Sequence, residues 1–187
     1  MAPCKGNRFR GTPRTRVNAR CGILGMNRTW TVETNSPEET IALGRAIGRA
    51  AQASDIFALV GELGSGKTHL AKGIAEGLGA ARARDVTSPS FVLCREYLGG
   101  RLPFYHLDAY RLSGARDLEA IGAEEMFFGE GVSALEWADR APGVLPEDYL
   151  EVRFGVTGDQ ARRLTLTPRG LRAEQLLARL RSEQAAP

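Results

Sequence analysis

Gly61-Glu-Leu-Gly-Ser-Gly-Lys-Thr68 constrains this chain more than any other stretch, because of what flanks it. Before it, Asp55 leads into Ile56, Phe57, Ala58, Leu59 and Val60, an unbroken apolar run of the kind a parallel strand shows when both its faces are buried. After it, a helical pattern runs from about Gly66 to Leu78. A turn between a buried strand and a helix N-terminus gathers backbone amides and the positive end of the helix dipole, and so suits an anion. Gly61, Gly64 and Gly66 let the backbone turn and approach a ligand closely. Lys67 adds a mobile ammonium for β and γ phosphates, and Thr68 adds a hydroxyl suited to magnesium. Glu62, Leu63 and Ser65 complete the loop, so a nucleoside triphosphate with Mg2+ is the expected ligand and residues 61–69 are its candidate contacts, although no feature of these residues selects ATP over GTP. His69 is the weakest of them, since almost any helical residue can follow such a threonine.

Two acids stand where a phosphate site would need them. Asp108 follows Leu102-Pro-Phe-Tyr-His-Leu107 and Glu136 follows Val132-Ser-Ala-Leu135, each at the expected carboxyl end of a strand. Ligands of open α/β sheets collect at those ends. A carboxylate there reaches magnesium directly or through water, or orients an attacking water; a capping or salt-bridged acid is the structural alternative. Lys67, Asp108 and Glu136 are therefore the catalytic candidates, and Thr68, Asp108 and Glu136 the metal candidates. His106 shares a strand face with Asp108, where a hydrogen bond within the site and a satisfied structural histidine are equally good readings. Thr87-Ser-Pro-Ser-Phe91 is a hydroxyl-rich, proline-stiffened loop, which makes Thr87 and Ser90 candidates for sensing the nucleotide; an ordinary turn explains it as well. Tyr110, Arg111 and Trp137 suit either nucleotide contacts or core packing.

The remaining pattern alternates strand and helix. Trp30 to Val32 reads as a strand, and Ser36, Pro37 and Glu39 as the N-cap, N1 and N3 of a helix reaching about Ala53. Ser90–Tyr97 and Leu102–Leu107 read as a hairpin around Gly99-Gly100, followed by a helix over about Asp117–Phe128 that Gly122 weakens. Val132–Trp137 is a central strand, Leu150–Val156 and Arg162–Thr167 an antiparallel pair, and Arg169–Leu180 a closing helix. The apolar face of that last helix fits either its own sheet or a partner. The expected fold is a three-layer α/β P-loop NTPase fold with a mostly parallel sheet and antiparallel additions.

With 187 residues, 43% of them apolar, the chain suits one domain, expected over residues 29–187. Residues 1–28 carry seven basic side chains and no acid, which leaves a mildly acidic body. This arm has little apolar material, so it reads as a disordered basic extension. A solubilising tail, or upstream sequence ahead of a start at Met26, explains it better than nonspecific attraction to RNA phosphates. Apolar runs are too short for a membrane span and no export signal stands out, so a cytoplasmic protein is expected. Cys4, Cys21 and Cys94 are odd in number and widely spaced, which suggests reduced thiols rather than a disulfide framework.

In order, GELGSGKT, VTSPSF at 86–91, HLDAYRL at 106–112 and LEW at 135–137 resemble the bacterial TsaE family over about residues 30–168. The family is a small ATPase required for threonylcarbamoyladenosine modification of tRNA. The resemblance implies an accessory ATPase acting with the TsaB and TsaD proteins, which transfer a threonylcarbamoyl group to adenosine 37 after a TsaC-type synthase has made it. It implies a phosphate-binding Lys67, a magnesium-binding Thr68, an Asp108 that supports metal or water, a nucleotide-responsive loop with Thr87 and Ser90, a Glu136 needed for turnover, and a Trp137 beside the nucleotide. This chain departs from the family pattern at Ser90, where threonine is common, at Glu62, where aspartate is common, and at Ala109, where leucine is frequent. The first two substitutions keep the hydroxyl and the carboxylate. A stand-alone P-loop kinase is the competing enzymatic reading: Arg82, Arg84 and Arg111 offer positive charge for it, yet no lid insertion is visible. A nucleotide-regulated binding protein with incidental hydrolysis is the non-enzymatic one.

Overall fold

The computed structural model describes residues 29–89, 93–111, 117, 121–141 and 143–185. Within them lie strands β1 (Trp30–Thr34), β2 (Ile56–Val60), β3 (Cys94–Tyr97), β4 (Phe104–Asp108), β5 (Val132–Glu136), β6 (Tyr149–Val156) and β7 (Arg162–Arg169). The helices are α1 (Pro37–Ala50), α2 (Lys67–Gly77), α3 (Ala123–Phe128) and α4 (Gly170–Ala185). The strands form one sheet in the order β1-β7-β6-β2-β5-β4-β3. Its four central strands, β6, β2, β5 and β4, run parallel, and antiparallel pairs extend it at both edges.

Strand β2 is buried along its whole length, and its side chains divide between two cores. Phe57 and Leu59 join Leu43, Ile47, Leu70 and Ile74 of α1 and α2 and Leu176, Leu177 and Leu180 of α4 on one face. Ile56, Ala58 and Val60 join Leu107, Leu135 and Phe127 on the other. The period-2 alternation of a pleated strand thus produces three layers from a single apolar run. The apolar face of α4 packs on its own sheet. Asp55, 2% exposed, ties that helix to the base of β2 by accepting hydrogen bonds from Arg172 (3.0 Å) and Arg179 (3.5 Å).

Local signals set the helix ends. Ser36 Oγ accepts the Glu39 N–H at 3.1 Å, and the Glu39 carboxylate reaches back to the Asn35 N–H at 2.8 Å. At the other end α1 stops at Ala50, short of the expected Ala53, where the Arg101 guanidinium donates to the carbonyls of Gly48 (2.7 Å), Arg49 (3.0 Å) and Ala51 (2.5 Å). These are the carbonyls a helix end leaves without partners. Of the helix expected over about Asp117–Phe128, Asp117 and Ala123–Phe128 are helical and residues 118–120 lie outside the described residues, while Gly122 takes φ 74° as the N-cap of Ala123–Phe128. Gly122 opens this helix instead of weakening its interior. Strand β5 ends at Glu136, one residue early, since Trp137 turns into the left-handed region at φ 57°. Residues 1–28 lie outside the described residues, so the expected arm is not addressed by the structure.

Helices α1 and α2 meet backbone to backbone. A Cβ on Gly73 would fall onto the carbonyl oxygen of Ile41, and one on Gly44 onto that of Leu70. Gly48 and Gly77 make the matching approach one turn further along. Close approach seats α2, and with it the loop at its N-terminus, firmly over β2. Gly73→Ala should destabilise the fold by about 1–3 kcal/mol through overpacking, measured by urea denaturation; unchanged stability would contradict the close approach.

Candidate functional site

The loop of residues 61–66 leaves the carboxyl end of β2 and enters α2 through Gly66, which holds φ 103° as the helix N-cap. A side chain at that position would be strained. Lys67 is 4% exposed, and its ammonium donates to the carbonyls of Gly61 (2.7 Å) and Glu62 (2.9 Å) while lying 3.8 Å from the centre of the Trp137 ring. Burial lowers the Lys67 pKa, and the nearby carboxylates of Glu136, Asp108 and Asp139 partly oppose that shift. An anion arriving at the loop would restore what desolvation removes, because negative charge close by favours the ammonium.

The parallel register brings the two acids together. Leu59 of β2 is level with Glu136, and Glu136 is level with Asp108. Thr68 Oγ1 donates to Glu136 Oε1 at 2.8 Å, so residues predicted from separate motifs form one cluster. His106 Nε2 meets the same oxygen at 2.8 Å from inside the sheet. Asp108 Oδ1 accepts the Tyr110 N–H at 2.8 Å, and Oδ2 accepts the Ser88 hydroxyl at 3.1 Å. Tyr110 packs against Trp137 with the rings tilted by 52° and their centres 4.9 Å apart, and Arg140 covers both rings at 4.5 and 5.0 Å. A cleft of about 470 Å³ beside the loop is lined by Val60, Gly61, Trp137, Asp139, Arg153 and Phe154, a volume that suits a small-molecule ligand.

Oxygen donors fit a hard divalent cation. Thr68 spends its proton on Glu136 and keeps its lone pairs, while Glu136 and Asp108 are neighbours across β4 and β5. Magnesium takes few protein ligands and completes its shell with phosphate oxygens and water, so this donor set fits Mg2+ with a polyphosphate. Among the described residues no three His, Cys, Asp or Glu side chains form a metal-binding group of their own. Burial, with Glu96 adding to it, pushes the Cys94 thiol up to about 12.

Not every expected residue joins the cluster. Thr87 is exposed, and its neighbour Ser88 makes the contact to Asp108. Ser90 lies outside the described residues. Leu63 projects into solvent at the loop tip. His69 is half-buried, with its pKa lowered by desolvation and then by Lys72. Arg162, which no sequence signal marks, fastens the loop from β7: it donates to the carbonyls of Ser65 (3.0 Å) and Gly64 (3.2 Å) and to Ala161 O (2.8 Å) of its own turn. Holding the Ser65 carbonyl sets the following peptide plane, so the Gly66 N–H points the opposite way. Arg162→Leu should raise hydrogen exchange across residues 61–66 by about tenfold, the loss of roughly one or two net hydrogen bonds; unaltered exchange would show that the guanidinium does not restrain the loop.

Comparison with known proteins identifies a family. The family model described as threonylcarbamoyl adenosine biosynthesis protein TsaE matches residues 34–164. A Bacillus subtilis (strain 168) protein named tRNA threonylcarbamoyladenosine biosynthesis protein TsaE is 41% identical over 147 residues, covering 79% of this chain and 90% of that protein. A Treponema pallidum protein of the same name is 38% identical over 133 residues, covering 71% and 96%. The crystal structure of Bacillus subtilis YdiB superposes with a TM-score of 0.70 at 36% identity, covering 83% of this chain and 95% of that one. The chain carrying this loop and its paired acids belongs to the TsaE family.

Proposed function

We propose that the protein is a magnesium-dependent ATPase that supports threonylcarbamoyladenosine modification at adenosine 37 of tRNA, acting with the TsaB and TsaD proteins rather than transferring the group itself. The observation that carries the ATPase half is the hydrogen bond from Thr68 to Glu136 beside the Lys67 loop, because it joins a phosphate cradle to a buried carboxylate. The pathway half is supported by the names of the relatives, which concern threonylcarbamoyladenosine biosynthesis. TsaB and TsaD as direct partners, and the TsaC-type synthase and tRNA as indirect ones, follow from the family resemblance.

The chain's own groups divide the work as follows. Backbone amides of residues 61–66 and the N-terminus of α2 bind the phosphates. Lys67 exchanges the neutral carbonyls of Gly61 and Glu62 for charged phosphate oxygens, which are the stronger acceptors. Thr68, whose proton is directed to Glu136, would hold the cation through its oxygen lone pairs. Bound magnesium would supply Lewis-acid stabilisation of charge on the phosphoryl group. Glu136 and Asp108, held by Thr68, His106, Ser88 and the Tyr110 N–H, keep carboxylate oxygens ready to orient water. The family resemblance assigns Thr87 and Ser90 to a nucleotide-responsive loop and Trp137 to the nucleotide's side, and it leaves Glu62, Leu63 and His69 as further candidate contacts.

The decisive experiment is multi-turnover formation of threonylcarbamoyl-tRNA with purified TsaC-type synthase, TsaB and TsaD plus wild type, Lys67→Ala or no added chain. Modification should be restored by wild type alone; equal product in all three reactions would refute the accessory role. Glu136→Gln should lower ATP turnover by about a hundredfold and fail in multi-turnover modification. Normal modification by that variant would show that hydrolysis is incidental and favour a nucleotide-regulated binding protein.

A further inference from the structure

His106 has no place in the division of labour above except as a neighbour of Glu136, yet its setting is specific. Its side chain is completely buried in β4, stacked 6.0 Å from Phe104. Nε2 lies 2.8 Å from Glu136 Oε1, whereas Nδ1 is buried with no hydrogen-bond partner among the described residues. A proton on Nδ1 would be buried without an acceptor, which is costly, so the imidazole proton belongs on Nε2 facing the carboxylate.

That assignment makes His106 Nε2–H and Thr68 Oγ1–H two donors converging on one oxygen. Both bonds end on a carboxylate that is 3% exposed, so each is charge-assisted and shielded from competing water. Thr68 sits on the loop side and answers to whatever binds there. His106 approaches from within the sheet, on the strand next to β5, and does not depend on a ligand.

We propose that His106 is a positioning residue for cation binding: by fixing Glu136 it fixes the direction of the Thr68 hydroxyl proton, and so turns the Thr68 lone pairs toward the metal. The chain of contacts runs from His106 through Glu136 to Thr68. A hydroxyl bound to a cation becomes a stronger proton donor, so the immobility of its acceptor matters most when the site is loaded. Outer partners of this kind are known to tune metal affinity without touching the metal. The proposal rests on the magnesium nucleotide reading given above.

The test uses the full chain and ADP, with affinity measured by calorimetry in Mg2+ and again in EDTA. His106→Phe keeps a ring against Phe104 but removes the donor; it should cut the magnesium-dependent gain in affinity by about tenfold and leave the EDTA affinity unchanged. A glutamine amide reaches about where Nε2 stands and an asparagine amide only about where Nδ1 stands. His106→Gln should therefore recover the gain and His106→Asn should not, a comparison that decides the matter even if the phenylalanine variant folds poorly. An independent readout is the imidazole proton of His106 in the nucleotide-free chain, observed by 15N–1H correlation on Nε2 and shifted by Glu136→Gln. A wild-type gain from magnesium that survives His106→Phe, glutamine and asparagine variants that behave alike, or a proton found on Nδ1 would each overturn the proposal. An ADP affinity of the wild type that ignores magnesium would instead overturn the underlying cofactor reading, and the imidazole spectrum would still show whether His106 holds Glu136.

Discussion

Everything at the site depends on the parallel register of three neighbouring strands. With Leu59 level with Glu136, and Glu136 level with Asp108, the loop leaving β2 opens beside both acids. A one-residue slip of β5 would turn every side chain on it to the opposite face. Glu136 would then point into the wrong layer, and Thr68 and His106 would both lose their acceptor. The apolar packing that sets this register, Phe57 and Leu59 on one side and Ala58 and Leu135 on the other, is therefore part of the functional apparatus. The glycine-mediated contact of α1 with α2 serves the same end, since it fixes how far the phosphate loop stands from the sheet.

Burying Lys67, Asp108, His106 and Glu136 together is costly unless each finds a partner. The structure meets that demand with groups both near and far along the chain: loop carbonyls and an indole face for Lys67, a backbone N–H and a serine for Asp108, a hydroxyl and an imidazole for Glu136. Lys67 is held by neutral acceptors and desolvated, a state that a polyphosphate can improve on. Trp137 takes a left-handed backbone conformation to bring its ring over that ammonium. Such conformations are unfavourable for a bulky side chain and gather at binding sites.

Motifs with their chemistry in adjacent residues were legible from sequence. Gly61 to Thr68 combine strand end, turn and helix start within a few residues, so little beyond local geometry was needed to read them. Asp108 and Glu136 were legible because an apolar run ending in an acid marks the carboxyl end of a buried strand. Long-range restraints were not. Arg162 reaches Ser65 from the far end of the chain with nothing around it that signals a target. Within Thr87-Ser-Pro-Ser90, hydroxyls one residue apart differ only in direction, and that direction placed Ser88 on Asp108 while Thr87 faces solvent. The glycines of α1 and α2 have visible spacing, but spacing alone does not say which helix they face.

The sequence by itself determined that a glycine-rich loop joins a buried strand to a helix on an α/β sheet, because glycine placement, helix capping and apolar periodicity act over a few residues. It also determined which side chains could hold a cation, since only certain groups carry the needed oxygens. Only the tertiary structure decided how they connect: Thr68 to Glu136, Glu136 to His106, and Arg162 to the loop. The physical reason is distance along the chain. A hydrogen bond needs its atoms placed within a few tenths of an ångström, and across many residues that placement is set by sheet register and core packing rather than by any local pattern.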